Sequence, residues 1–506
     1  MNKSATNLLP DPEGASAPDR EICYRALLAR DTRFDGVFFT GVKSTGIYCR
    51  PVCTVKTPRV SSCTFFPNAA AAEAAGFRPC LRCRPELAPY ALQQNLAYAV
   101  WQRIAAGALN DSNVEGLAVQ VGLSSRQLRR VLLQHFGVTP VELAQTQRLL
   151  FAKKLLQETS LPMTELAYAA GFGSLRRFNA LFDKRYGMAP TAVRRKMQKD
   201  SKSGDALVLR LAYRPPFNWA EILRYLAGRA IPGVEAVLAD EQTYLRSVRI
   251  DTATGWLRVR HLASKRQLEL EVAPVLAPHL MFLLSRVRSQ FDLDANPAVI
   301  EAHLMQDPLL GTHIQAVPGL RVPGAFDVFE LAVRAVLGQQ VSVAGATTLS
   351  GRLVARFGDV LSTPFPAISH HFPRAEILAA TAVAAIAQIG VPATRAETIR
   401  NLAQFAVEGG LDLKPGTGLQ QAIEQMKTVH GIGEWTAQYV ALRALRFPDA
   451  FPAGDLGLQK AAAHAESPNA RLTEKQLLAR AANWAPWRGY AALVLWNSLS
   501  HSKGAT

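Results

Sequence analysis

A chain of 506 residues, 49% of them hydrophobic, is long enough for three or four domains with sizeable cores. Its net charge of +17 calls for a polyanionic partner. Six cysteines in that length argue for thiolate chemistry and against a disulfide scaffold, and the longest nearly apolar run, 378–391, is too short to span a bilayer and is interrupted by Gln388. The charge is uneven: residues 1–200 carry +12 and 201–506 carry +5, which makes the first part the stronger electrostatic binder.

Residues 1–18 are polar and proline-rich, and a disordered tail is expected there. They hold no apolar h-region, so no secretory signal is expected, and the location expected is cytoplasmic, at the nucleoid, with no membrane partner. A compact domain is expected over 19–88. It contains Tyr48-Cys49-Arg50-Pro51-Val52-Cys53 and Phe77-Arg78-Pro79-Cys80-Leu81-Arg82-Cys83-Arg84. Two short-spaced pairs, Cys49/Cys53 and Cys80/Cys83, suit four-thiolate, tetrahedral Zn2+. Arg50, Arg78, Arg82 and Arg84 crowd the site and could receive phosphates. On spacing alone, a purely structural zinc knuckle is the commoner outcome. Cys23 and Cys63 fall outside the pairs and read as small buried hydrophobes.

From 91 to 196 the pattern is helical and repeats. Ala118-x3-Gly122 precedes Ser124-Ser125-Arg126-Gln127-Leu128-Arg129-Arg130, and 49 residues after that alanine Ala167-x3-Gly171 precedes Ser174-Leu175-Arg176-Arg177-Phe178-Asn179. A small residue, a turn glycine and a serine opening the next helix make a helix-turn-helix signature, here twice. Leu128, Val131 and Leu132 should pack in the first unit, and Phe178, Leu181 and Phe182 in the second. Ser125, Arg126, Gln127, Arg129 and Arg130, with Leu175, Arg176, Arg177 and Asn179, are left for DNA. The polar stretch 197–205 reads as a linker.

Beyond it an antiparallel α+β subdomain is expected over 206–277, with strand-like runs at 207–213, 243–250, 255–261 and 267–272 and a helix at 219–228. A mostly helical domain should follow over 278–500. Within it Val429-His430-Gly431-Ile432-Gly433-Glu434-Trp435 reads as helix, tight glycine turn, helix. Gly431 and Gly433 can present backbone N–H groups to a phosphate at a helix N-terminus. Phe451-Pro452-Ala453-Gly454-Asp455 follows. Taken singly, the glycine turn is an ordinary helix connection and Asp455 an N-cap.

Together these strings resemble known families. The cysteine strings resemble the methyl-acceptor domain of Ada proteins, and the tandem helices, with Gly187-Met188-Ala189-Pro190 after them, resemble the AraC-type DNA-binding domain. Residues 206–500 resemble AlkA-type 3-methyladenine DNA glycosylase II, of the helix-hairpin-helix superfamily. The match is carried by Arg214-Pro215-Pro216-Phe217-Asn218-Trp219, by Val336-Leu337-Gly338-Gln339-Gln340-Val341-Ser342, and by the hairpin with Asp455. The fold implied is multidomain and mainly α with α+β parts.

The resemblance implies that Cys49 accepts a methyl group from a DNA methylphosphotriester. Four thiolates on Zn2+ give a site of net charge −2, and methylating one makes it −1, so methylation would tighten DNA binding electrostatically. It further implies a monofunctional glycosylase that flips alkylated purines into a pocket walled by Tyr225, Trp435, Tyr439 and Trp496, with Asp455 as catalytic carboxylate. Trp435 stands where strand-cutting relatives carry a lysine nucleophile, and Gln340 stands where the family places an apolar wedge. No Pro-Cys-His-Arg string occurs, so repair of O6-methylguanine is not expected. The partners implied are alkylated double-stranded DNA and promoter operators, with RNA polymerase as a candidate partner of an activator. Two alternatives stand beside this reading: a transcription regulator whose glycosylase domain only scans DNA, and a glycosylase whose N-terminal modules only tether it.

Overall fold

Phe39–Val42 and Ile47–Cys49 form a hairpin that turns over residues 43–46, and the first cysteine stands at the end of its second strand, away from that turn. Phe39–Val42 pairs antiparallel with Ile47–Cys49, with Thr40 opposite Cys49, and on its other edge with Cys63–Phe66. The short strand Arg78–Pro79 runs parallel to Ile47–Cys49, and the Cys80 N–H donates to the Tyr48 carbonyl at 3.0 Å. That register carries the second cysteine pair alongside the first. This computed structural model describes residues 19–89, 96–197, 206–463 and 470–502. The expected tail over 1–18 and all but the first residue of the expected linker lie outside the described residues.

The tandem units form as their caps dictate. Val114–Gln120 and Ser125–Phe136 are joined through Gly122 (φ +71°), and Met163–Ala169 and Leu175–Tyr186 through Gly171 (φ +79°). The positive φ at each turn is a conformation glycine takes without strain. Ser124 and Ser174 cap the second helices by accepting from the N–H groups of Gln127 and Arg177, each at 3.2 Å. Leu128, Leu132, Phe178 and Phe182 are fully buried, and Arg126, Gln127, Arg129, Arg176, Arg177 and Asn179 are exposed.

The 19-residue helix Pro140–Glu158, opened by a Thr139/Glu142 capping box, connects the two units. It buries two lysines. The Lys153 ammonium donates to Glu86 Oε2 at 2.5 Å and to the Cys80 carbonyl at 3.2 Å. Lys154 pairs with Glu158 at 2.9 Å and also donates to the Arg210 carbonyl. Arg84 closes the network on Glu86 at 3.1 Å and on Glu158. The Arg210 N–H donates to Glu158 at 3.1 Å, which fixes the strand Leu207–Ala212 against this helix. That strand pairs antiparallel with Gln267–Val272. Residues up to 214 and 263–285 accordingly belong to one compact unit, and most of the remainder of the chain forms a second.

Breaking one partner of a buried ion pair strands the other charge. Lys153→Met is therefore expected to lower the unfolding free energy by about 3 kcal/mol in chemical denaturation, and a loss below about 1 kcal/mol would show that Arg84 alone satisfies Glu86.

In the second unit, Glu235–Leu238, Thr243–Ile250 and Ala253–Leu262 pair antiparallel in that order beside the helix Trp219–Ala227. Glu235–Leu238 was not among the expected strands. The rest of the unit is mainly helical around one large core that includes Val336, Ile399, Met426, Val440, Leu458 and Trp484. The hairpin helices are Leu419–Lys427 and Glu434–Arg443. Gly431 is required there twice over: its φ is +90°, and a Cβ would come within 1.9 Å of Thr398 Oγ1. Among the described residues, no helix is long and apolar enough to cross a membrane.

Candidate active site and metal centre

The zinc-type site assembles from the strand end and two turns. The Sγ atoms of Cys49, Cys53, Cys80 and Cys83 all lie within 4.8 Å of one another, and all four thiols are free. Four ligands at the usual Zn–S distance of about 2.3 Å would sit about 3.8 Å apart, so the cluster fits a tetrahedral Zn2+ with little adjustment. When bound, Zn2+ would keep the sulfurs ionised at neutral pH. The chain supplies N–H groups that favour that state: Arg50 N–H donates to Cys83 Sγ at 3.4 Å, and those of Arg82 and Cys83 donate to Cys80 Sγ at 3.4 and 3.5 Å. Cys49 is 5% exposed, and Cys83 is the most open of the four.

Of the arginines expected to receive phosphates here, two are engaged within the protein. Arg50 forms a fork with Asp35 (Nε to Oδ1 2.8 Å) and donates to the Cys83 carbonyl. Arg84 is held by Glu86 and Glu158. Both orient the cysteine turn. Arg78 and Arg82 are the exposed pair. Cys23 and Cys63 are buried and unpaired, and burial pushes the Cys23 thiol up to about 12.

In the helical units, Gln127 spends its side-chain oxygen on the Ser124 N–H at 3.0 Å. Arg129 pairs with Glu115 at 3.0 Å, but both are exposed, and such surface pairs are weak enough to give way to a phosphate or base.

The second unit holds a cavity of about 1070 Å³ lined by Tyr225, Gln340, Trp435, Tyr439, Asp455 and Trp496 among others. Trp435 and Tyr439 lie one helical turn apart and stack, with centroids at 5.4 Å and planes at 11°. Trp496, from the helix Arg488–Ser502, meets Tyr439 edge-on at 6.2 Å. Both indole N–H groups converge on one carboxylate: Trp435 Nε1 donates to Asp455 Oδ2 and Trp496 Nε1 to Oδ1, each at 3.1 Å. Asp455 Oδ1 also accepts from the Leu458 N–H at 3.0 Å, at the start of the helix Leu456–Ala463. The N-cap contact and the cavity-facing carboxylate are thus one arrangement. Three fixed donors hold the carboxylate in a single orientation, ready to stabilise positive charge developing in the cavity.

Gln340 sits exposed at the rim with φ +56°. Its neighbour Gln339 ties that loop to the hairpin by donating to the Gly431 carbonyl at 3.2 Å and to Thr436 Oγ1 at 3.0 Å. Gly431 and Gly433 are both exposed.

Several lining groups escaped the sequence reading. Arg443, 4% exposed, donates to the hydroxyls of Tyr225 and of Tyr439, the latter at 2.7 Å. Arg229 lies over the Tyr225 ring at 3.8 Å. Burial opposes ionisation of Tyr439, but the Arg443 and Arg229 charges outweigh it, and the phenol lies below its ordinary value. Deeper, Arg246 and Arg334 pair with Glu235 and Glu330. A signal existed for two of these: Arg334 and Arg443 follow Glu330 and Tyr439 by four residues, the spacing of neighbours on one helix face, whereas Arg229 lies beyond the helix Trp219–Ala227 and Arg246 on the strand Thr243–Ile250.

Comparison with known families agrees with this layout. The metal binding domain of Ada matches residues 22–86, a helix-turn-helix domain 117–196, the AlkA N-terminal domain 208–327, and the HhH-GPD superfamily of base excision DNA repair proteins 333–487. The chain is 38% identical to the Mycobacterium tuberculosis protein named probable bifunctional transcriptional activator/DNA repair enzyme AlkA, over 96% of this chain and 97% of that one. The chain belongs to this bifunctional AlkA family. It is also 35% identical to DNA-3-methyladenine glycosylase 2 of Escherichia coli, over 56% of this chain and 95% of that protein. The 3-methyladenine DNA glycosylase of Archaeoglobus fulgidus superposes with a TM-score of 0.50 at 21% identity, covering 57% of this AlkA-family chain and 96% of that one, a likeness of fold.

Proposed function

We propose that this AlkA-family protein senses and repairs alkylated DNA: a methylphosphotriester-responsive transcription activator joined to a monofunctional glycosylase that excises alkylated purines such as 3-methyladenine. The observation that carries the glycosylase reading is the Asp455 carboxylate, held by two indole N–H groups at the wall of an aromatic cavity beside the hairpin. A flipped base would stack against Trp435, Tyr439 and Trp496, while the hairpin glycines and Gln340 engage the DNA backbone and the gap in the stack. As the N-glycosidic bond lengthens, positive charge grows on the sugar. Asp455 stabilises it, and the bonding electrons leave with the base, whose alkylation already makes it a good leaving group. Water then adds to the sugar.

In the N-terminal part, the Cys49 sulfur attacks the methyl carbon of the phosphotriester. The carbon–oxygen bond breaks, its electrons pass to the phosphate oxygen, and an S-methylcysteine and a phosphodiester remain. Arg78 and Arg82 receive neighbouring phosphates, and Arg126, Gln127, Arg129, Arg176, Arg177 and Asn179 face the operator, with RNA polymerase as the further partner. The domain bounds we assign are 19–88, 91–196, 206–277 and 278–500.

Among the described residues lining the cavity none is a lysine. Wild-type protein should therefore release methylated bases from duplex DNA and leave intact apurinic sites. Strand breaks appearing with base release, or a borohydride-trapped protein–DNA adduct, would refute the monofunctional assignment. No base release under conditions of DNA binding would leave a regulator that only scans.

A further inference from the structure

Beside its aromatic side chains, the cavity is lined by Arg229 and Arg443. Arg443 is buried and Arg229 half-buried, and among the described residues neither has a carboxylate within ion-pair distance. Arg443 instead donates to the Pro323 carbonyl and to the two phenol oxygens. Buried cations answered only by neutral acceptors favour an electronegative group beside them.

Tyr225 cannot offer both ring faces to a base, because Arg229 covers one at 3.8 Å. What it offers is its hydroxyl. The Tyr225 and Tyr439 oxygens are 3.3 Å apart, close enough for one proton to lie between them. Arg443 occupies their acceptor side. The second phenolic proton has no acceptor among the described residues, and both tyrosines line the cavity. A phenol whose oxygen accepts from a guanidinium is a stronger donor than a free one.

We infer that the Tyr225–Tyr439 hydroxyl pair, set by Arg443, ranks the bases this enzyme releases by donating one hydrogen bond to a carbonyl oxygen on the base edge. The inference rests on the proposed reading of the cavity as the base pocket. It makes Tyr225 a specificity-determining residue that favours 6-oxopurines, such as 7-methylguanine and hypoxanthine, over bases that present an amino group at the same position.

Duplex DNA treated with dimethyl sulfate carries both 7-methylguanine and 3-methyladenine, so one reaction compares a 6-oxo with a 6-amino base. Tyr225→Phe removes the hydroxyl and keeps the ring. It should lower the ratio of 7-methylguanine to 3-methyladenine released by about fivefold, the effect of one ordinary hydrogen bond. Tyr439→Phe should shift the ratio in the same direction, and a wild-type thermal unfolding transition with wild-type affinity for undamaged duplex DNA shows that each variant is folded. Release of hypoxanthine, which is uncharged, should fall by a similar factor. An unchanged ratio overturns the inference, and so does a parallel fall in both bases, which would make the hydroxyl structural. If wild type releases neither base, the glycosylase reading itself fails and takes this inference with it.

Discussion

Replacing Asp455 by asparagine is expected to slow release of 3-methyladenine from methylated duplex on the order of 10³-fold in single-turnover reactions, while DNA binding stays within about twofold of wild type. The charge is what matters. Asparagine nearly preserves the shape and can still accept from the Leu458 N–H and from one indole. It presents an amide NH2 to the other indole, however, so one of the 3.1 Å contacts becomes a meeting of two donors. More important, it carries no negative charge to balance the cationic sugar as the bond breaks. The hairpin that should hold the DNA backbone owes its shape to Gly431 and to the Gln339 contacts, none of which involves Asp455, so binding should survive. If Asp455→Asn retained more than about a tenth of the wild-type rate, another group would be carrying the chemistry and the assignment would fall.

The second large effect is expected at Cys49. Incubated with DNA bearing methylphosphotriesters, the wild-type chain should gain one methyl group, readable by intact-protein mass, and Cys49→Ser should gain none. Base release by Cys49→Ser should be unchanged, since Cys49 lies outside the unit that contains Asp455. Peptide mapping supplies the sharper outcome. Cys49 is 5% exposed and Cys83 more open, so a methyl found on Cys83 would move the acceptor within the same cluster and overturn the Cys49 assignment. Zinc content should be one per chain in wild type and should be lost in Cys80→Ser, because Cys80 is both a candidate ligand and a sulfur that gathers two backbone N–H groups.

Much of this could be read one residue at a time. The serines that cap the recognition helices, the glycine that the hairpin turn demands, and the short-spaced cysteine pairs are local facts, because a cap, a positive φ or a chelate loop involves only a few neighbouring residues. The aromatic positions and the role of Asp455 are different: only the resemblance to AlkA-type glycosylases implies them, and taken singly each reads as a core aromatic or an N-cap. The functions of individual groups were less legible. Arg50 and Arg84 looked like phosphate ligands, yet their guanidiniums are turned inward onto Asp35, Glu86 and Glu158. Nothing local to Arg84 reveals a glutamate 74 residues away.

The kinds of module, their order along the chain and the chemistry each could carry are thus legible in the residues alone. Short-range periodicity, capping and ligand spacing are sufficient for that. Which charges are buried and where the donors point depend instead on the folded arrangement. Lys153 becomes an interior cation because the helix Pro140–Glu158 packs onto the segment around Cys80. Trp435 and Trp496 become a clamp on Asp455, and Arg443 sets a hydroxyl 218 residues earlier in the chain, because folding brings distant segments to one cavity. Desolvation and hydrogen-bond direction depend on every neighbour in space, and no pattern along the chain encodes that set of neighbours.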